Sequence, residues 1–384
     1  MDRDVIIIGG GPSGLSTALH LQRVAPHLAQ ASRILILEKE HYPRFKLCAG
    51  GLTLDAESIL EHLDLDVSEV PHVLADDIHF DFEGHGLNVR VPKRHALRII
   101  RRDEFDNWLA QKTRSRGIEI REGIIVKNII TDSERVTIET DQGTFLALIV
   151  VGADGSNGIT RRCILPKEEV NTARVLEVIT PAYQSNHPIH QPDHAYFEFF
   201  PVPENIAGYV WDFPTQIKGQ PMRCWGIYDT NLLAYENRPP LKEPLAKEMS
   251  RLGFDLNQHE VKGHPIRWYS PWNQMSVPRV LLVGDAAGAD PIFGEGISIA
   301  LGYGALAAHE IAESLQRNEF SFRRFRGRVV RSGLGYTLIS RWVIASIIYP
   351  IKWRWFQILV WQFLKPIVIA IAWIFVLRWG KQLH

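Results

Sequence analysis

Cysteine is scarce in this chain. Its 384 residues include three, Cys48, Cys163 and Cys224, too far apart for a Cys-x-x-Cys pair. Neither an iron–sulfur cluster nor a zinc site is therefore expected. Three separated thiols fit a reducing compartment. No signal peptide is expected either, because the apolar run from Val5 already reads as a strand of the fold. Acid is missing from one end. The last Asp or Glu is Glu319, and Phe320 to His384 carries eleven Lys or Arg. Net charge is zero, so the first 319 residues carry −11 and the tail +11. Such asymmetry points to a tail that meets an anionic surface. The tail is also strongly apolar, which argues against nucleic acid as the partner. What remains is globular: 22% charged and 46% hydrophobic residues, with length for two or three domains.

The stretch "DVIIIGGGPSGLSTALHLQ" reads as a buried strand, a glycine turn and a helix. Val5 to Ile8 are continuous and apolar, as in a parallel strand buried on both faces. Gly9, Gly11 and Gly14 fit G-x-G-x-x-G: a tight turn, a close backbone approach to a pyrophosphate, and close helix packing. Pro12 and Ser13 open the helix, whose N-terminus offers N–H groups and partial positive charge to phosphates. "RILILEKE" follows as a second strand ending at Glu38; Glu38 stands where a ribose-hydroxyl acceptor is expected, and Lys39 beside it is expected at the cofactor. A glycine-rich turn in an ordinary α/β domain would leave Glu38 unexplained.

Two later stretches identify the dinucleotide. "LIVVGADGSNGITRR" is a strand ending in a turn at Ala153, Asp154 and Gly155. "RVLLVGDAAGADPIFGEGISIALGYGALAA" is a strand ending at Gly284 and Asp285, a loop, then a helix from about Gly296. Both resemble signatures of the flavoprotein group that includes aromatic hydroxylases and geranylgeranyl reductases. The resemblance implies non-covalent FAD, with Ala153, Asp154, Gly155 and Gly284 at the cofactor and Asp285 on its ribityl or ribose hydroxyls. It also places Pro291, Gly294, Glu295, Gly296 and Ile297 at the helix start facing the flavin pyrimidine. A dipole there favours the anionic reduced ring. Glu295 could equally cap its own helix. "IIRRDEFDNWLAQK" resembles the group's R-x-x-F-D-x-x-L helix and would put Arg102 near the FAD phosphates or adenosine; a surface arginine is the plainer alternative.

Between these segments, residues 71–99 alternate loosely and residues 172–230 are rich in aromatics, as in an antiparallel sheet. "GYVWDFP" matches G-Y-x-W-x-F-P and resembles the geranylgeranyl reductase family. Alternation places Tyr209, Trp211 and Phe213 on one strand face, as sheet core or as a wall for an apolar substrate. "PRFKLCAGGL" puts Cys48 after Arg44 and Lys46 and before Gly50 and Gly51. It resembles the family's Cys-and-glycine segment beside the flavin, although the family more often has glycine where Ala49 stands. The resemblance implies that Cys48, Gly50 and Gly51 form the catalytic element and that Cys48 and Ala49 touch the cofactor. A thiol there could donate a proton opposite the incoming hydride, or could simply fill space.

The expected fold is thus α/β. A Rossmann-like FAD-binding domain (1–70, 100–165 and 270–320) carries an inserted antiparallel substrate domain (71–99 and 166–269) and a C-terminal apolar helical tail (321–384). The resemblance implies reduction of C=C bonds in the prenyl chain of a lipid, quinone or chlorophyll precursor. A monooxygenase or halogenase on the same fold, or a membrane-bound flavoprotein electron carrier, are the alternatives. No second complete dinucleotide motif is present, so NADPH would visit transiently or a ferredoxin would deliver electrons. Residues 336–379 hold six of the eleven tryptophans. Gln357, Gln362, Lys365 and Pro366 interrupt their apolar run, so helices lying in one leaflet are preferred to a span or a dimerisation helix. All four FAD segments precede Ser332, and the tail is expected to be separable from them.

Overall fold

The computed structural model describes residues 2–168, 171–182, 190–232 and 238–371. Its centre is a sheet with strand order 276–277, 280–282, 143–152, 2–8, 34–37 and 119–121. The five strands from 280–282 to 119–121 run parallel, and 276–277 pairs antiparallel at the edge. Val5 to Ile8 and Ile34 to Leu37 are buried on both faces, which is why these runs are apolar without alternation. Val5 and Ile7 face helices 12–24, 102–115 and 297–317, while Ile6 and Ile8 face the antiparallel strands 126–131 and 136–140. Helices 12–24 and 297–317 touch backbone to backbone. A Cβ on Gly304 would lie 2.5 Å from Ser16 Oγ, and that hydroxyl donates to Leu301 O at 2.7 Å.

A second sheet, order 262–267, 172–181, 220–229, 208–217, 194–198, 77–82 and 85–90, is antiparallel except between 194–198 and 77–82. Strands 51–52 and 72–75 instead flank 97–100 in a three-stranded antiparallel sheet. That small sheet ties the Cys48 loop to the base of the larger one.

The described part of the tail forms helices 325–331, 333–348 and 354–358, a π-turn at 359–363 and helix 365–371. Among the described residues no helix is long and apolar enough to cross a membrane; 372–379 lie outside them. Leu334 and Leu338 complete the first core, and Ala345, Tyr349 and Trp361 the aromatic core of the second sheet. Arg341, 2% exposed, pairs with Asp290 at 2.8 Å and Glu295 at 3.0 Å. The expectation of a separable tail is corrected here: cutting at Ser332 would uncover both cores and strip two carboxylates of their cation.

Candidate active site

Three loops meet at the C-terminal ends of the parallel strands. The first turns at Gly9, whose φ of +103° and approach to the Ala153 carbonyl (2.4 Å from an added Cβ) admit only glycine. A Cβ on Gly14 would meet Gly9 O at 2.0 Å, whereas Gly11 is open and faces Arg44 Nη2 at 3.7 Å. Gly11 is the N-cap of helix 12–24, which carries Pro12 in its first turn and has no side-chain cap. Its N–H groups are left for an anion. Ser13, next along this helix, lies against Gly284: a Cβ there would be 2.6 Å from the Ser13 hydroxyl oxygen. Buried Glu38 accepts from the N–H of Gly10 at 2.8 Å and of Glu40 at 3.0 Å. Lys39 is not brought to the cleft: its exposed ammonium pairs with Glu40 at 3.7 Å.

The second and third loops divide their carboxylates. Asp154 is turned inward, accepting from Thr160 N and Oγ1 at 2.8 and 2.9 Å, so it caps helix 159–164 and its assignment to the cofactor is corrected; Gly155 beside it turns at φ +81°. Asp285 stays half-exposed, 3.4 Å from Ser156 Oγ and facing Gly296. Glu295 spends one oxygen on Ser298 N and Oγ, at 2.9 and 2.5 Å, and the other on Arg341. Of its two expected roles the structure selects the cap. Ile297, the first residue of that helix, is core. Loop 290–296 is held by hydroxyls: Tyr228 donates to Pro291 O at 3.2 Å, Tyr349 to Ile292 O at 2.7 Å, and Tyr209 to Phe293 O. Gly294, at φ +65°, leaves no room for a side chain beside the Tyr228 ring.

Cys48 lies half-buried between these loops and the aromatic sheet. Burial pushes its thiol up, and the Arg102 guanidinium, which donates to its sulfur, opposes that shift. Arg102 is bidentate to Asp106 at 2.8 Å, and Asp106 also receives Arg44 at 3.2 Å. Lys46 lies 2.7 Å from His264. Burial and the neighbouring lysine hold His264 down to about 4, and burial lowers Lys46 as well. Gly50 turns at φ +79°, where a Cβ would strike Ile100 O at 1.9 Å, and its N–H points at Cys48 Sγ at 3.4 Å. A Cβ on Gly51 would lie 3.5 Å from the Phe213 ring, and Ala49 packs on the aromatic core. Tyr209, Trp211 and Phe213 share one face, as alternation requires, with Phe197 bridging Tyr209 and Phe213 at 4.9 and 5.1 Å between centroids. A cavity of about 10 Å³ separates Cys48, Arg101, Arg102 and Glu177. Thr215, on its rim, also lines a cavity of about 580 Å³ walled by Val73, Leu74, Pro214, Pro221 and Met222.

The residues fit FAD. An open glycine and an uncapped helix end sit beside Arg44 for the pyrophosphate, Glu38 is placed for ribose, and Asp285 is an available carboxylate between the loops. Sequence reasoning missed Glu177, His264, Asp106 and Arg341. Glu177, an acid inside the apolar run "RVLEVIT", and Asp106, one helical turn after Arg102, left a visible signal. His264 and Arg341 left none.

The fold and the site define an FAD-dependent oxidoreductase. The chain belongs to the FAD binding domain family, whose profile matches residues 2–319. An uncharacterized protein of Methanosarcina barkeri is 29% identical over 334 residues, covering 85% of this chain and 80% of that protein. Digeranylgeranylglycerophospholipid reductase of Thermoplasma acidophilum is 25% identical over 348 residues, covering 83% and 80%. Among solved structures, a geranylgeranyl bacteriochlorophyll reductase-like protein of the same organism superimposes with a TM-score of 0.78 at 21% identity, over 97% of this chain and 96% of its own. The flavin-dependent brominase Bmp2 shares the fold at a TM-score of 0.71 and 20% identity, over 100% and 95%.

Proposed function

We propose that this flavoprotein saturates C=C bonds of a prenyl chain of geranylgeranyl type, carried by a lipid, quinone or chlorophyll precursor. The observation that carries the reading is the Cys48 thiol. Burial keeps it protonated, and it stands where the cofactor loops meet the aromatic wall. Reduced FAD, when bound, supplies hydride; the protein supplies the rest. Arg102 is placed to stabilise the thiolate left when Cys48 gives its proton to carbon. An isolated alkene is a poor hydride acceptor. The faces of Tyr209, Trp211 and Phe213 exclude water and favour developing positive charge on the chain. The apolar cavity beyond Thr215 suits the remainder of the chain.

A membrane surface is the proposed source of substrate. Trp353, Trp355, Phe363 and Ile367 are 54–66% exposed on the tail, among Lys352, Arg354 and Lys365. Apolar side chains ringed by cations suit the headgroup region of an anionic bilayer.

The test is anaerobic incubation of the FAD-loaded protein with a chemical reductant and a prenyl alcohol or prenyl lipid, followed by mass spectrometry. A gain of two hydrogens per double bond is expected. An oxygen-dependent hydroxylated or halogenated product would replace this reading with the monooxygenase or halogenase alternative. Replacing the reductant by NADPH or by reduced ferredoxin identifies the donor.

A further inference from the structure

Glu177 belongs neither to the three loops that would hold FAD nor to the aromatic face, yet it lies at the thiol. It sits in strand 172–181, opposite Lys262 on one side and Gly226 on the other. It is 6% exposed, and its Oε2 has no hydrogen-bond partner among the described residues. It lines the same small cavity as Cys48, and the Cys48 N–H points at its carboxylate. That cavity has about the volume of one water molecule. The charged and titratable groups facing Glu177 are Lys46 and Cys48 from the loop, Arg101 and Arg102 at the start of helix 102–115, Lys262 from the strand on one side, and Cys224 from strand 220–229 on the other. Despite those cations, burial pushes the Glu177 carboxyl up to about 7, so it holds a proton near neutrality.

We infer that Glu177 is the positioning residue that reloads Cys48 with a proton between turnovers. The inference rests on the proposed function. In each turnover the Cys48 S–H bond breaks and its proton forms the new C–H bond, while the other alkene carbon takes the hydride of reduced FAD. The Glu177 O–H bond then breaks, its proton passes to the Cys48 thiolate directly or through one water, and solvent restores the carboxyl. Transfer from a carboxylic acid to a buried thiolate is downhill. The Arg101 and Lys262 side chains stabilise the carboxylate that results.

Two readouts test this. Alkylation of Cys48 by iodoacetamide, followed by peptide mass spectrometry to separate it from Cys163 and Cys224, needs no substrate. In the wild type, ionised Glu177 suppresses the thiolate above pH 7. Glu177→Gln should therefore alkylate about threefold to tenfold faster there, the effect of lowering a thiol pKa by roughly half to one unit. In turnover, kcat of the wild type should fall as pH rises through about 7. Glu177→Gln should lose that limb and about tenfold or more of kcat, with KM unchanged. Glu177→Asp should keep the limb and much of the rate, and it serves if the Gln variant fails to fold or to hold FAD. An alkylation profile identical in wild type and variant overturns the inference. If the wild type reduces no prenyl chain, the proposed function fails, and the alkylation arm still decides whether Glu177 governs Cys48.

Discussion

Cys48 and its neighbours show how one position acquires chemistry from its surroundings. The thiol is raised by burial and touched by a guanidinium, so it is protonated at rest and stabilised once ionised. Cys48→Ala should retain FAD and lose roughly 10²–10⁴ in the rate of alkene reduction, the range of general acid catalysis. Cys48→Ser should recover little, since a hydroxyl is a much weaker acid. An unchanged rate in Cys48→Ala would leave only the space-filling role. Asp285→Ala should lower the flavin-to-protein absorbance ratio, because it removes an acceptor from the cleft between the loops; full flavin content would show that the cofactor lies elsewhere. Glu177 adds a stability signature. Its carboxyl is raised from 4.5 to about 7 in the folded protein. The folded state therefore favours the protonated form, and that advantage, present below 4.5, is lost as pH rises through 7, by up to about 3 kcal/mol. His264, depressed to about 4, titrates in an overlapping window with the opposite slope. The quantity to measure is thus the difference between wild type and Glu177→Gln in urea denaturation across that range, which should widen with pH in favour of the variant.

At the scale of elements, helix 333–348 does what its composition hides. Arg341 supplies the cation for Asp290, which is fully buried, and for Glu295. Arg341→Ala should cost about 3–5 kcal/mol, because two carboxylates lose their partner in a dry setting; a loss under 1 kcal/mol in chemical denaturation would show that water reaches them. Sequence carried the other elements well. The strand–loop–helix at Gly9–Gly14, the strand that leads into the Asp285 turn and the face shared by Tyr209, Trp211 and Phe213 are local patterns, and local patterns are written in consecutive residues. What could not be read was which carboxylate meets which partner. Asp154 looked like a cofactor ligand from its glycine turn, yet Thr160 claims it, and Glu295 chose its own helix and Arg341. Such pairings depend on contacts between distant segments, and the tail's apolar run fits a lipid surface and an aromatic core equally well.

For the whole molecule, the uneven charge is less polarised than the chain suggests. Arg328, Arg341 and Arg354 of the basic tail are paired with Glu310, Glu295 and Glu83 of the body, so part of the +11 is neutralised within the fold. Apolar burial should then dominate any attachment to lipid. Replacing Trp353 and Trp355 with Ser should weaken co-sedimentation with anionic vesicles by about tenfold or more, given about 1.5–3 kcal/mol for each large side chain buried. High salt should weaken it only in part. Complete release by salt alone would mean that the tryptophans do not insert.

The hydroxyl clamps on loop 290–296 carry a consequence for the order in which the protein is made. Tyr209 and Tyr228 leave the ribosome before that loop, but Tyr349 and Arg341, which hold it from the other side, come after it, and Trp361 comes later still. The parallel sheet and its phosphate loop can assemble during synthesis. The aromatic core of the second sheet cannot, because Tyr349 and Trp361 complete it only after loop 290–296 has been made. A nascent chain halted before residue 341 would carry the dinucleotide fold with loop 290–296 unclamped on one side and the aromatic core unfinished.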